Sequence, residues 1–107
     1  MSLSVIIPIY NEELNLNGFY KELKAHLKLI KKYEIIFVDD GSSDKSFEIL
    51  ESIAKKDRSI KIVRLRSNYG QTVAIRAGLD VSKGNKIIIM DGDGQHHPKY
   101  IVEFYKK

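Results

Sequence analysis

Lys86-Ile87-Ile88-Ile89-Met90-Asp91-Gly92-Asp93-Gly94-Gln95 is the stretch that decides the fold. Four consecutive apolar residues, three of them β-branched, run straight into two carboxylates spaced two apart. So short an apolar run, bounded by charge and glycine, fits a strand buried on both faces better than a helix, which needs roughly ten residues or more. Strands of that kind belong to parallel sheets, whose two faces are both covered.

The same pattern occurs three more times upstream. Residues 3–9 form an apolar run that leads into Pro8-Ile9-Tyr10-Asn11-Glu12-Glu13. Residues 34–38 lead into Asp39-Asp40-Gly41-Ser42-Ser43-Asp44, and residues 60–65 into Arg66-Ser67-Asn68-Tyr69-Gly70-Gln71. Helical periodicity separates the runs. Leu16, Phe19, Leu23, Leu27 and Ile30 recur at spacings of three and four and predict an amphipathic helix. Phe47, Leu50, Ile53 and Ala54 line a second, with Ser43 or Asp44 as its cap. Residues 72–81 predict a third, with Gly84 as its stop signal. Pro98 predicts the start of a last helix running into the C-terminus. Four strands alternating with helices imply an α/β architecture: a Rossmann-like open parallel sheet with right-handed crossovers.

Composition narrows the function classes. The chain of 107 residues, 43% hydrophobic and 30% charged, suffices for one modest core. It has no cysteine, so disulfides and thiolate zinc sites are excluded. No apolar run approaches the roughly 18 residues of a membrane span, and the N-terminus lacks the pattern of a signal peptide. A cytoplasmic chain is therefore expected. The net charge of +4 comes largely from Lys21, Lys24, Lys28, Lys31 and Lys32, mostly on the polar side of the first helix. No basic stripe is interleaved with aromatics, so no nucleic-acid partner is expected.

In open α/β sheets, ligands bind beyond the carboxyl ends of the strands, where the strand order reverses. All four turns there are polar and three carry carboxylates. In extended backbone, side chains two apart point the same way, so Asp91 and Asp93 can converge on one point. Hard cations such as Mg²⁺ or Mn²⁺ take oxygen ligands of this kind, and Gln95 can add an amide oxygen. A solvated polar turn is the alternative. A calcium loop of EF-hand type is excluded because its twelfth position, a carboxylate in that motif, is Val102. Of the Asp39-Asp40 pair, one carboxylate can serve the following helix while Asp40 accepts from a base N–H. Tyr10 offers a face for stacking and Glu12 an acceptor for ribose hydroxyls. Their alternatives are a half-buried aromatic and a first-turn carboxylate. Neither G-x-G-x-x-G nor a P-loop is present, so a diphosphate has to be neutralised otherwise. A metal at Asp91 and Asp93 can do so, helped by Arg66 or Arg76.

Taken together the turns resemble those of family 2 glycosyltransferases, which have the GT-A fold. The matching segments are VIIPIYNEE (5–13), FVDDGSSD (37–44), NYGQTVAIRAGL (68–79) and IIMDGDGQHHP (88–98), and they span almost the whole chain in order. The D-x-D-x-Q form and the N-Y-G-Q segment look most like the branch that moves a sugar onto polyprenyl or dolichol phosphate. Gly92, Gly94, His97 and Lys99 depart from that branch's commoner residues. The resemblance implies that Pro8, Tyr10 and Glu12 surround the base and ribose of a UDP- or GDP-sugar, that Asp40 contacts the base, and that Asp91, Asp93 and Gln95 bind Mg²⁺ or Mn²⁺ bridging the diphosphate. It implies an inverting transfer to a lipid-phosphate or glycan acceptor, in cell-envelope synthesis at the cytoplasmic face of a membrane. In that family the acceptor-side catalytic residues come after the D-x-D strand, so they are expected beyond Lys107. Residues 1–107 are then expected to form a donor-binding domain cut short at its C-terminus, with little transferase activity alone and any membrane contact through the region beyond it. A metal-dependent nucleotidyltransferase and a non-catalytic nucleotide-binding or interaction domain are the competing readings.

Overall fold

The computed structural model describes residues 2–90 and 101–105. The elements are β1 (Leu3–Ile9), α1 (Leu16–His26), β2 (Tyr33–Asp39), α2 (Ser46–Lys56), β3 (Ile60–Arg64), α3 (Gln71–Val81), β4 (Lys86–Met90) and β5 (Ile101–Tyr105). They build one sheet in the order β3-β2-β1-β4-β5. The first four strands are mutually parallel where they pair, as expected, and β5 lies antiparallel on the free edge of β4.

Period-two alternation divides the apolar residues between two cores. Val5, Ile7 and Ile9 of β1, with Ile35 and Phe37 of β2, pack against Leu16, Phe19, Leu23 and Leu27 on one face, joined by Leu50 and Ile53 of α2. Ile6, Ile36, Val38 and Ile87 face the other way and pack around Ala74 of α3. Two helices thus cover one face and one the other. Right-handed crossovers that run outward from β1 to β3 and then back past β1 to β4 require that arrangement. The reversal puts the switch point between β1 and β4. Met90, the last residue of β4, opens directly into the sequence Asp91-Gly92-Asp93.

Four local expectations are corrected. Residues 101–105 form a strand rather than a helix; Pro98 itself lies outside the described residues. Ile-Val-Glu-Phe-Tyr is rich in β-branched and aromatic residues, and the open edge of β4 offers it a ladder, which outweighs the proline cue. Ile30 lies beyond the end of α1 and is 39% exposed, so the buried stripe stops at Leu27. Neither Ser43 nor Asp44 is the N-cap of α2; that position is Lys45, which makes no side-chain cap bond. The Ser43 amide donates to Asn11, and Asp44 Oδ1 accepts the Ser46 amide at 2.9 Å. Gly84 does not terminate α3, which ends at Ser82 in extended backbone. Gly84 is needed for close approach: a Cβ there would stand 2.6 Å from Ser4 Oγ and 2.7 Å from Ser4 N. Its amide donates to Ser4 Oγ at 2.8 Å.

That contact extends into an ionic latch at the amino ends of the strands. Glu34 accepts from Ser4 Oγ, the Lys83 amide and Lys61 Nζ, the last at 2.6 Å. Burial alone would raise the Glu34 carboxyl. The hydrogen bonds from Lys61, the Lys83 amide and Ser4 outweigh it and hold the carboxyl at about 2. Asp57 is likewise held below the carboxylate range: burial opposes this, but the bonds from Ser59, Tyr20 and Lys24 prevail. Tyr20 is pushed up to about 12 by burial and by its bond to Asp57.

Two outcomes are expected. Gly84→Ala should lower the unfolding free energy by about 1–3 kcal/mol, because the added carbon meets backbone that cannot give way; urea unfolding reads this directly. A carboxyl depressed in the folded state stabilises above its unfolded value and loses that contribution as pH falls through the folded one. Stability should therefore decline from pH 4.5 toward 2, the interval between the ordinary and the folded Glu34 values. Urea midpoints across that range should fall less steeply for Glu34→Gln than for the wild type.

Candidate functional site

At the carboxyl edge of the sheet the turns after β1, β2 and β3 meet. Between them lies a cleft of about 250 Å³ lined by Pro8, Ile9, Tyr10, Glu12, Asp40, Asn68, Gly70 and Gln71. Four residues singled out from the sequence, Pro8, Tyr10, Glu12 and Asp40, are thus brought together. Tyr10 is 47% exposed, so its ring is available to a ligand rather than committed to the core. Glu12 Oε1 accepts Asn15 Nδ2 at 3.0 Å.

The first two turns are clamped to each other. Asn11 takes a positive φ of 51°, a region open to few residues besides glycine and asparagine. In that conformation its side-chain oxygen accepts the amides of Ser43 (2.8 Å) and Asp44 (3.3 Å). In return the amides of Asn11, Glu12 and Glu13 donate to Ser42 Oγ, Ser46 Oγ and Asp44 Oδ2, at 3.0, 2.9 and 3.2 Å. Burial opposes ionisation of Asp44, yet its bonds with Ser46 and the Glu13 amide leave the carboxyl below its ordinary value. The GSSD segment therefore spends its hydroxyls on the neighbouring turn.

The two carboxylates of Asp39 and Asp40 lie apart, and neither bonds an amide of α2, the following helix. Asp39 is fully buried, and its Oδ1 accepts the Ser42 amide at 3.1 Å. Its Oδ2 accepts no hydrogen bond from the described residues, and Arg64 Nε lies 3.9 Å away as a countercharge. Arg64 stacks on Phe47, 3.9 Å from the ring centre. Asp40 lines the cleft, but its carboxylate also accepts the Tyr69 amide (2.8 Å), the Gly70 amide (3.0 Å) and Asn68 Nδ2 (3.1 Å).

Arg76 on α3 and Arg66 in the third turn are both exposed; neither lines the cleft. Asp91, Asp93, Gln95, His96 and His97 lie outside the described residues. Among the described residues no group of three or more His, Cys, Asp or Glu could hold a metal, and no helix is long and apolar enough to cross a membrane. Asn68, Gly70 and Gln71 are cleft residues that the sequence alone did not assign to the site. Their signal was present, since the N-Y-G-Q turn comes after a strand, but nothing local says that it folds over Asp40.

Comparison with known proteins gives a consistent picture. The family model described as Glycosyl transferase family 2 matches residues 4–107. The chain is 41% identical over 105 residues to an uncharacterized glycosyltransferase, YkcC, of Bacillus subtilis, covering 97% of this chain and 32% of that protein. It is 44% identical over 107 residues to the undecaprenyl-phosphate 4-deoxy-4-formamido-L-arabinose transferase of Pseudomonas aeruginosa, covering 98% and 32%. It thus spans about a third of the length of the curated relatives it matches. Among solved structures, S. aureus TarS 1–349 in complex with UDP-GlcNAc superposes with a TM-score of 0.74 at 28% identity, covering 87% of this chain and 27% of that one. The mannosyltransferase PcManGT from Pyrobaculum calidifontis shares the fold at a TM-score of 0.77 and 22% identity, covering 85% and 27%.

The Asn11 clamp predicts a graded response. Asn11→Gly keeps the backbone conformation and loses the side-chain acceptor, a cost of about 1–2 kcal/mol. Asn11→Ala should cost about 1 kcal/mol more, because alanine is strained at positive φ. Urea unfolding of the two variants side by side gives the difference.

Proposed function

The chain belongs to glycosyl transferase family 2, and on that premise we propose that it is the donor-binding part of an inverting glycosyltransferase. The cleft takes the base and ribose of a nucleoside-diphosphate sugar, UDP- or GDP-linked. Tyr10 stacks on the base, Pro8 closes one wall, Glu12 accepts from ribose hydroxyls and Asp40 forms the head of the pocket. The observation that carries this reading is the cleft's composition and place. It lies at the carboxyl ends of β1 and β2, beside the switch point where β4 opens into Asp91-Gly92-Asp93. The ligand-bearing relative TarS, solved with UDP and with UDP-GlcNAc, supports a nucleotide of this class.

Among the described residues, the cleft lining holds two carboxylates and no cationic side chain. A diphosphate extending from it needs a countercharge from elsewhere. The donor set of Asp91, Asp93 and Gln95 is all oxygen, which suits Mg²⁺ or Mn²⁺. When bound, the ion supplies Lewis-acid stabilisation of the charge that develops on the leaving nucleoside diphosphate. Arg76, exposed on α3, is a candidate for contact with the phosphates. In the transfer, an acceptor oxygen bonds to the anomeric carbon as the bond to the β-phosphate oxygen breaks, with its electron pair leaving on the nucleotide.

The relative named as an undecaprenyl-phosphate sugar transferase supports a lipid-phosphate acceptor, and our reading puts the transfer at the cytoplasmic face of a membrane. Such an acceptor is already an anionic nucleophile, whereas a glycan hydroxyl needs a general base. Residues serving the acceptor are assigned to the part of the relatives that this chain does not span. A nucleotidyltransferase is disfavoured by the turn after β1, which carries Tyr10-Asn11-Glu12-Glu13 and no glycine- and lysine-rich phosphate loop.

Calorimetric titration of UDP-glucose, GDP-mannose and the free nucleotides, with and without Mn²⁺, tests the reading. At least one nucleotide should bind more tightly with Mn²⁺. Asp91→Asn with Asp93→Asn should abolish that metal-dependent gain, and its survival would show that the metal lies elsewhere. Tyr10→Ala should weaken binding about tenfold, equivalent to the roughly 1.4 kcal/mol of a lost stacking contact.

A further inference from the structure

Among the described residues, the third turn is held mainly by Asp40 and by packing on the residue after it. Ser67, Asn68 and Tyr69 are all exposed, Tyr69 by 54%, so the turn has no buried apolar anchor. Its backbone nevertheless packs tightly on the residue after Asp40. Gly41 has a φ of +70°, and a Cβ there would stand 2.3 Å from the Ser67 carbonyl carbon and 2.5 Å from the Asn68 nitrogen. Against that seat, Asp40 Oδ1 accepts the Tyr69 amide, and Oδ2 accepts the Gly70 amide and Asn68 Nδ2. Asn68 Nδ2 also reaches the Asp40 carbonyl oxygen at 3.1 Å.

The turn leads straight into α3, whose N-cap is Gly70, with a φ of 100° and no side chain of its own to cap the helix. The Asp40 carboxylate takes over part of that role from across the sheet. It accepts the N-cap amide and places negative charge beside the positive end of the helix dipole. It also engages Asn68, a residue of the cleft wall, through Nδ2. Three of the carboxylate's roughly four acceptor positions are filled before any ligand arrives.

We propose that Asp40 is a positioning residue: from the end of β2 it holds the 68–70 turn and the start of α3 as a wall of the cleft, and it acts on a bound nucleoside diphosphate through that wall. The effect on the nucleotide rests on the donor-binding reading above; the hold on the turn does not.

Amide hydrogen exchange of the nucleotide-free chain, paired with UDP titration in the presence of Mn²⁺, tests the two parts together. In the wild type the Tyr69 and Gly70 amides should be protected although the turn is exposed. Asp40→Asn should speed their exchange by about tenfold or more, with core amides of β1 unchanged. The same variant should weaken UDP binding about tenfold, and Asp40→Glu, which keeps the acceptor, should recover part of both effects. Tyr10→Ala should weaken UDP binding without changing exchange in the turn. Loss of UDP affinity in Asp40→Asn with unchanged exchange at Tyr69 and Gly70 would make Asp40 a direct ligand only and overturn the proposal. Faster exchange with unchanged UDP affinity would overturn it equally. Should Asp40→Asn not fold, unprotected Tyr69 and Gly70 amides in the wild type would overturn it and protected ones support it. If the wild type binds no nucleotide, the donor-binding reading fails by itself, while the exchange arm still decides the hold on the turn.

Discussion

The structure depends on the burial of β1 between two parallel neighbours. Val5, Ile7 and Ile9 feed the core under α1 and α2, and Ile6 feeds the core under α3. β2 and β4 occupy its two edges. A strand covered on both faces and both edges can satisfy its backbone only through the ladder, so its register with β2 is set along its whole length. Parallel pairing then brings the ends of β1 and β2 out side by side, Ile9 opposite Asp39. Everything at the site derives from that alignment.

Two polar turns emerging together have many backbone amides and few helical partners for them. They resolve this by serving one another: Asn11 caps amides of the second turn, and Ser42, Asp44 and Ser46 cap amides of the first. Asp40 does the same for the third turn. A cleft walled by mutually bonded turns is formed before a ligand arrives, so binding need not meet the cost of ordering them. Tyr10, next to the clamped Asn11, stands exposed in the cleft lining.

Much of this was legible along the chain. The bounds of β1 and β4 and the apolar stripe of α1 up to Leu27 are local signals, because period and composition register burial residue by residue. So is the gathering of Pro8, Tyr10, Glu12 and Asp40, since side chains just past the ends of neighbouring parallel strands share the sheet's carboxyl edge. Other features were misread or unseen because they are relations between distant segments. Gly84 looks like a helix stop, yet it is glycine because the backbone of Ser4 lies against it. Residues 101–105 come after a helix-start proline, yet they complete the edge of β4. The seats of Asn68 and Gly70 depend on a turn roughly thirty residues upstream, as the 28- to 30-residue separations of their bonds to Asp40 show.

By itself, the sequence determined the alternating α/β class, the polarity of the ligand edge and the residue types available there. Those are consequences of periodicity and of the residues placed at each strand's end, and they need no knowledge of partners. Only the tertiary structure decided how those residues are used. It showed that the serines of GSSD bond the first turn, that Asn11 holds a left-handed conformation to receive them, and that Asp40 is largely engaged by the third turn. Hydrogen-bond partners across loops are chosen by which turns the sheet order makes neighbours, and the order β3-β2-β1-β4-β5 is written in no single segment.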